Sequence, residues 1–407
     1  MKHPLNKVTK CLMAAVVTAL LAPGMASASH LIAHRGIFHD ATDTNNLPEN
    51  SFFAIQRAYD MGLAGVELDL RLSSDGQVLV THDQIANRTT RDDFDGGNYN
   101  PIDGAQGGKV PGAHWVNSDN AHHWQGTKLK VYGKNGNLVR WGADGDFSSY
   151  MQTLDALLGY LNANRGDILR SNKFMIILDV QDPNVLSKAG QIVQNWSRNG
   201  AGNSVYLKFF ASKGLFNDTR FNGADTCYTY ARHNHLSGLK IIPQINDGEL
   251  TSYSDDPDAE NDDKGIAAFQ TWLSIPTFLQ CWADAESQHR DSTSAKMPIV
   301  SASVPWNNAS ATKGAWDAIN WARHNGRQTM SIVPNPDAGR RKGGSCNYYT
   351  WQSTDPRAAG FNFNARQAKQ NFVNSVNPDY TIIDIMGDMN RSSWSSSLSD
   401  FQRDLCD

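Results

Sequence analysis

The sequence predicts an α/β chain folded as a (β/α)8 barrel with loop insertions, and two observations carry that expectation. Short apolar runs alternate with amphipathic helical stretches along most of the chain, the pattern of repeated β-α units around a parallel sheet. Eight of these runs have strand length, and eight strands with intervening helices favour a closed barrel over an open doubly wound sheet.

The expected strands lie at 31–34, 66–70, 175–179, 205–210, 240–245, 298–301, 329–333 and 380–385. Helices fit between them at 51–61, 151–163, 185–196, 267–285, 314–325 and 365–375. Two stretches break the repeat. Residues 91–145 are rich in Gly, Asn, Asp and Trp, and 247–264 form a polar, acidic run; both read as loop insertions into a single domain spanning 29–407. Barrel chemistry sits at the C-terminal ends of the strands, so an insertion there is placed to shape access.

Residues 1–28 are expected to be removed. Lys2, Lys7 and Lys10 precede a short apolar run, and Ala26-Ser27-Ala28 has the small-x-small form of a cleavage site, so a secreted or periplasmic protein without a stable membrane span is expected. Cys11 leaves with that segment. Cys227, Cys281, Cys346 and Cys406 remain, an even set that suits two disulfides with three pairings open. The formal net charge of −4 and the scatter of Lys and Arg argue against nucleic acid as a partner. Serine hydrolase and zinc protease chemistry lack their GxSxG and HExxH signatures.

Chemistry concentrates between Leu31 and Arg88. The first strand ends in His34-Arg35-Gly36, and Leu47-Pro48-Glu49-Asn50-Ser51 leads into a helix that either Asn50 or Ser51 caps. In Val66-Glu67-Leu68-Asp69-Leu70 the alternation of a strand puts Glu67 and Asp69 on one face and the apolar residues on the other. Two carboxylates on one face repel unless a cation or strong donors lie between them, and an oxygen-only set suits Ca²⁺ or Mg²⁺ better than zinc. Asp75-Gly76 turns the chain back, so that His82 returns to the mouth that holds His34. Asp179 ends a third apolar strand as another acidic group. Trp115, Trp124 and Trp141 in the first insertion are either packing or an aromatic grip on a choline group or lipid chain.

In order and spacing, HRG, PENS and ELDLRLSSDGQVLVTHD resemble the signature blocks of the glycerophosphodiester phosphodiesterase family. The stretches QTLDALL and NPDYTIID are similar to that family's later helix and final strand. The resemblance implies a TIM-like barrel that hydrolyses glycerophosphodiesters, with His34 and His82 as the catalytic pair. It also implies Arg35 on the phosphate, Glu67 and Asp69 on a divalent metal, and Asp179 as third ligand. Asp179 departs from the family's usual Glu, and no lysine follows two residues later. Lys208 is expected either as the replacement phosphate-binding cation or as a lysine reaching water at a strand edge. His34 and Glu49 are fifteen apart, longer than the family spacing, and Glu49 is expected near the substrate or the metal shell, or as a charge on the helix dipole. Two other readings use the same residues: a sphingomyelinase D-like phospholipase acting on phospholipids, and a catalytically silent binding barrel.

Overall fold

The computed structural model describes residues 29–40, 44–82, 86, 89–90, 114–132, 138–180, 183–198, 200–211, 224–246, 275–289, 293–303, 313–333 and 371–383. The expected export segment, the 247–264 loop, Cys346 and Cys406 lie outside the described residues, as do 91–113 and 133–137 of the first insertion.

In chain order the elements are β1 (His30–His34), α1 (Phe52–Asp60), β2 (Gly65–Leu72), β3 (Val78–Val80), α2 (Ala121–Gln125), β4 (Lys130–Tyr132) and β5 (Leu138–Trp141). They continue as α3 (Leu154–Leu169), β6 (Met175–Val180), α4 (Pro183–Arg198), β7 (Val205–Phe210), α5 (Ala224–His233) and β8 (Lys240–Asn246). The last are α6 (Ile275–Gln288), β9 (Ile299–Ser303), α7 (Lys313–His324), β10 (Gln328–Val333) and β11 (Tyr380–Ile383). Strands β1, β2, β6, β7, β8, β9, β10 and β11 pair in that order, each parallel to the next, and β11 returns to β1. The sheet is therefore the closed eight-stranded parallel barrel that the sequence predicts.

Strand alternation sorts the side chains into two environments. Val66, Leu68, Leu70, Leu178, Leu207 and Phe209 belong to the large outer core between sheet and helices. Ile32, Ile177, Ile242, Ile299, Met330 and Ile382 form a separate apolar cluster across the sheet's inner face. Each such buried side chain contributes roughly 1.5–3 kcal/mol relative to exposure. Toward the strand ends the inner face turns polar, with Glu67, Asp179, Lys208 and Gln244 all buried.

Close approaches set the first β-α unit. Gly65 pairs with Met175, and a side chain there would meet the Met175 carbonyl oxygen at 2.4 Å. Gly36 has φ +84, and a Cβ on it would lie 2.7 Å from that of Ala54 in α1. Ser51, not Asn50, caps α1: its hydroxyl accepts from the Ala54 amide at 3.4 Å.

The described part of the first insertion is structured. Leu79, Ala86, Val116, Ala121, Trp124, Leu129 and Met151 form a small core of its own, beside the antiparallel pair β4–β5. Trp124 is fully buried and its indole N–H donates to the Val116 carbonyl at 2.8 Å, so it packs and is not available to grip a ligand. Arg140 binds this unit to the β1–α1 loop through the carbonyls of Thr44 (3.2 Å) and Asn46.

Helix α5 was not among the expected helices. Its buried residues are the small Ala224, Cys227 and Ala231, so the stretch carries little apolar weight. It is tied to α6 by a disulfide between Cys227 and Cys281, which selects one of the open pairings for these two cysteines. Peptide mapping without reduction should recover the Cys227–Cys281 cross-link. Replacing both residues with Ser should lower unfolding stability by about 2–4 kcal/mol, as expected for removing a long closed loop, which denaturant titration reads directly.

Candidate active site

Strand β1 delivers His34 and Arg35 to the mouth, and the backbone there is unusual. Arg35 has φ +55 and Asn50 φ +54, both in the left-handed region that non-glycine residues seldom enter. The Asn50 amide donates to the Arg35 carbonyl at 2.9 Å, so the two unusual residues hold each other.

Asn50 is a site residue that sequence reasoning did not assign. Its side chain does not cap the helix but turns to Asp69 and brackets it: Nδ2 donates to Oδ2 at 3.2 Å, while Oδ1 accepts from the Asp69 amide at 3.1 Å. The signal available in sequence was its place between Glu49 and the cap residue Ser51. Only the left-handed backbone turns it inward. Arg35 Nε lies 3.2 Å from Asp69 Oδ2, and its Nη1 donates to Glu49 Oε1 at 3.3 Å. Glu49 is therefore paired with Arg35.

Strand β2 presents Glu67 and Asp69 on the inner face, as alternation requires, and β6 adds Asp179 in register with Asp69. One carboxylate oxygen from each of the three lies within 4.8 Å of the others, and all three residues are buried. Lys208 on β7 is in register with Asp179 and fully buried, so the solvent alternative for it is overturned. Its ammonium lies 3.0 Å from Asp179 Oδ1 and 3.4 Å from Glu67 Oε1, and it donates to Gln244 Oε1 at 3.0 Å. In this arrangement Lys208 is a counter-charge for carboxylates. Gln244, on β8, was not anticipated.

The histidines close the ring. His34 Nε2 lies 3.9 Å from Glu67 Oε2, and the imidazoles of both His34 and His82 stabilise the charged form of Asp69. His82 is held by its backbone, whose carbonyl accepts from Arg71 Nε at 2.6 Å, while the neighbouring Thr81 amide donates to the Asp69 carbonyl at 3.0 Å. All the expected site residues with described side chains thus converge on one mouth.

Environment separates the two β2 carboxyls. Burial and the neighbouring Asp69 push Glu67 up to about 7, against the opposing pull of Lys208 and His34. Burial also acts to raise Asp69, but His82, Arg35, His34 and the Asn50 hydrogen bond outweigh it and bring it down to about 2. Burial opposes the charge on Lys208, yet Asp179 and Glu67 hold its pKa above the ordinary lysine value.

The oxygen set fits a hard divalent cation. Among the described residues Glu67 Oε2 is buried without a hydrogen-bond partner, the state a carboxylate oxygen takes when a cation is its intended partner. Three carboxylates against Lys208 and Arg35 also leave one formal negative charge in excess when all are ionised.

Glu67 makes the stability of chelator-treated protein depend on pH. Its folded value of about 7 lies above the ordinary 4.5, so the folded state keeps a proton that the unfolded chain releases between them. Glu67's contribution is present below pH 4.5 and is lost as pH rises through about 7; a Tm-against-pH profile of Glu67→Gln should lack that decline. Lys208→Met should lower stability by about 3–5 kcal/mol, the cost of leaving buried carboxylates unpaired, as measured by denaturant unfolding.

Residues 34–156 match the model of the Glycerophosphoryl diester phosphodiesterase family. Over 60 residues the chain is 45% identical to the Glycerophosphodiester phosphodiesterase of Caldanaerobacter subterraneus subsp. tengcongensis, which covers 15% of this chain and 22% of that protein. Over 59 residues it is 49% identical to Glycerophosphodiester phosphodiesterase 1 of Bos taurus, covering 14% of this chain and 16% of that protein. The chain thus spans less than a quarter of the length of these relatives in its matched part. Among solved structures, a glycerophosphodiester phosphodiesterase from Agrobacterium tumefaciens is similar with a TM-score of 0.40 and 15% identity, covering 88% of this chain and 97% of that one. One from Parabacteroides distasonis gives a TM-score of 0.45 and 12% identity, covering 92% and 87%. The barrel assignment rests on this chain's own strand pairing. The segment that matches the family model includes His34, Arg35, Glu67, Asp69 and His82 of the barrel mouth.

Proposed function

We propose that the chain is an exported, divalent-metal-dependent phosphodiesterase that cleaves small glycerophosphodiesters to glycerol phosphate and an alcohol. The observation that carries this reading is the convergence of two imidazoles, one guanidinium and three carboxylates from separate segments of one barrel. Glu67, Asp69 and Asp179 would hold Ca²⁺ or Mg²⁺, which when bound neutralises charge on a phosphate oxygen.

Arg35, oriented by Glu49, shares the phosphate charge. One histidine of the His34 and His82 pair accepts the proton of the attacking hydroxyl, while the other, protonated, gives its proton to the leaving alcohol oxygen. The pair ends with protonation states exchanged. A glycerol hydroxyl next to the phosphate is well placed to attack first, forming a cyclic phosphate that water then opens, because intramolecular attack gains effective concentration. Lys208 serves this site by balancing Glu67 and Asp179, in place of the direct phosphate contact that the family resemblance suggested for a cation. Export follows from the 1–28 segment, and a secreted or periplasmic location goes with it.

His34→Ala and His82→Ala should each lower kcat/KM for glycerophosphocholine or glycerophosphoethanolamine by about 100-fold or more. Chelation should abolish turnover, and Ca²⁺ or Mg²⁺ should restore it. Faster cleavage of sphingomyelin or lysophosphatidylcholine than of these diesters would turn the assignment toward the phospholipase reading, and no turnover of any diester would turn it toward a binding barrel.

A further inference from the structure

A second cluster of metal-ligating groups lies in the first insertion, with different chemistry from the barrel mouth. His114, Asp119 and His123 each bring one donor atom within 4.8 Å of the other two. Their platform is rigid. The His114 and His123 rings lie 4.7 and 4.8 Å from the ring of Trp124, which is fully buried, and 5.3 Å from each other. Asn120 caps α2 by accepting from the His123 amide at 3.0 Å, which sets the direction from which His123 leaves the helix. Asp119 is in contact with His114 Nε2, and Ser118 Oγ donates to its Oδ2 at 3.3 Å, the kind of outer hydrogen bond that orients a ligating carboxylate.

We propose that His114, Asp119 and His123 form a zinc-type cation site that fixes the 114–123 stretch of the insertion. Two imidazoles and one carboxylate are a borderline-soft donor set, which suits Zn²⁺ with ligand distances of about 2.0–2.2 Å and a fourth position left to water. The oxygen-only set of Glu67, Asp69 and Asp179 favours a hard cation instead, so the two sites differ in metal preference. The ligands sit at the points where the insertion is sewn to the barrel. The Ala86 amide donates to the His114 carbonyl at 2.9 Å, the Ser74 amide to the Asp119 carbonyl at 2.8 Å, and the Ala121 amide to Asp75 Oδ1 at 3.1 Å. An ion joining the three side chains therefore pins residues 114–123 to one another at the points where that stretch is hydrogen-bonded to Ser74, Asp75 and Ala86. This site is independent of whether the barrel mouth hydrolyses a diester.

The test uses the untagged mature chain, freed of metal by chelator and exchanged into buffer containing ZnCl₂ alone. Calorimetric titration and elemental analysis should find a zinc equivalent that Asp179→Asn retains and that His123→Ala binds about 10-fold or more weakly. Zinc should raise the Tm of wild type and of Asp179→Asn, but not of His123→Ala. Asp119→Asn, which keeps the shape of the side chain, should also weaken zinc and guards against a folding defect in the alanine variant. X-ray absorption at the zinc edge should show imidazole scattering. Equal zinc affinity in wild type and both cluster variants, an oxygen-only shell, or no zinc retained by wild type overturns the site.

Discussion

Glu67 and Asp179 lie on adjacent strands inside a parallel barrel, away from water, and share one buried ammonium. A buried carboxylate is tolerated only when it is neutralised or paired, and here the lysine comes from the next strand at the same level. That requirement explains several features together. Lys208 has to be fully buried, Gln244 Oε1 accepts a hydrogen bond from its ammonium, and Glu67 keeps one oxygen without a hydrogen-bond partner among the described residues. Asp69 adds a smaller share to that balance and is itself held by other groups.

Asp69 is stabilised from the loop side. Arg35 and Asn50 reach it from left-handed backbone positions, and each of those conformations costs of order 1–3 kcal/mol unless its surroundings enforce it. Gly36 packed on Ala54 and the Ser51 cap provide that enforcement by fixing where α1 starts. Two adjacent carboxyls on one strand consequently titrate far apart, Glu67 near neutrality and Asp69 in acid. Such a separation of two neighbouring carboxyls is the kind of perturbation that clusters at functional sites.

The first insertion connects to this arrangement through backbone hydrogen bonds and a small core, with Arg140 reaching the β1–α1 loop and the Ser73 to Gly76 turn meeting α2. The segments that carry His82 and Asn50 are therefore braced from outside the barrel. Trp124, for which the sequence left packing and a ligand grip both open, is one of the braces, because its indole is buried and its N–H is already used.

Much of the architecture was legible in the sequence because it depends on local periodicity. Eight strand-length runs specify eight strands, and alternation in Val66 to Leu70 alone puts Glu67 and Asp69 on one face. The motif spacing likewise anticipates that His34 and His82 return to a common mouth, since a turn at Asp75-Gly76 reverses the chain. Helix α5 was not legible, as its buried face consists of small residues that carry little apolar weight. The cysteine pairing was equally closed to sequence, which holds no information on which helices lie side by side. Lys208 shows the remaining division most clearly: alternation assigns its face, but whether that face meets water or carboxylates depends on the strand beside it. Barrel closure and register decide that, because they set Lys208 level with Asp179 and exclude the water that a lysine would otherwise reach.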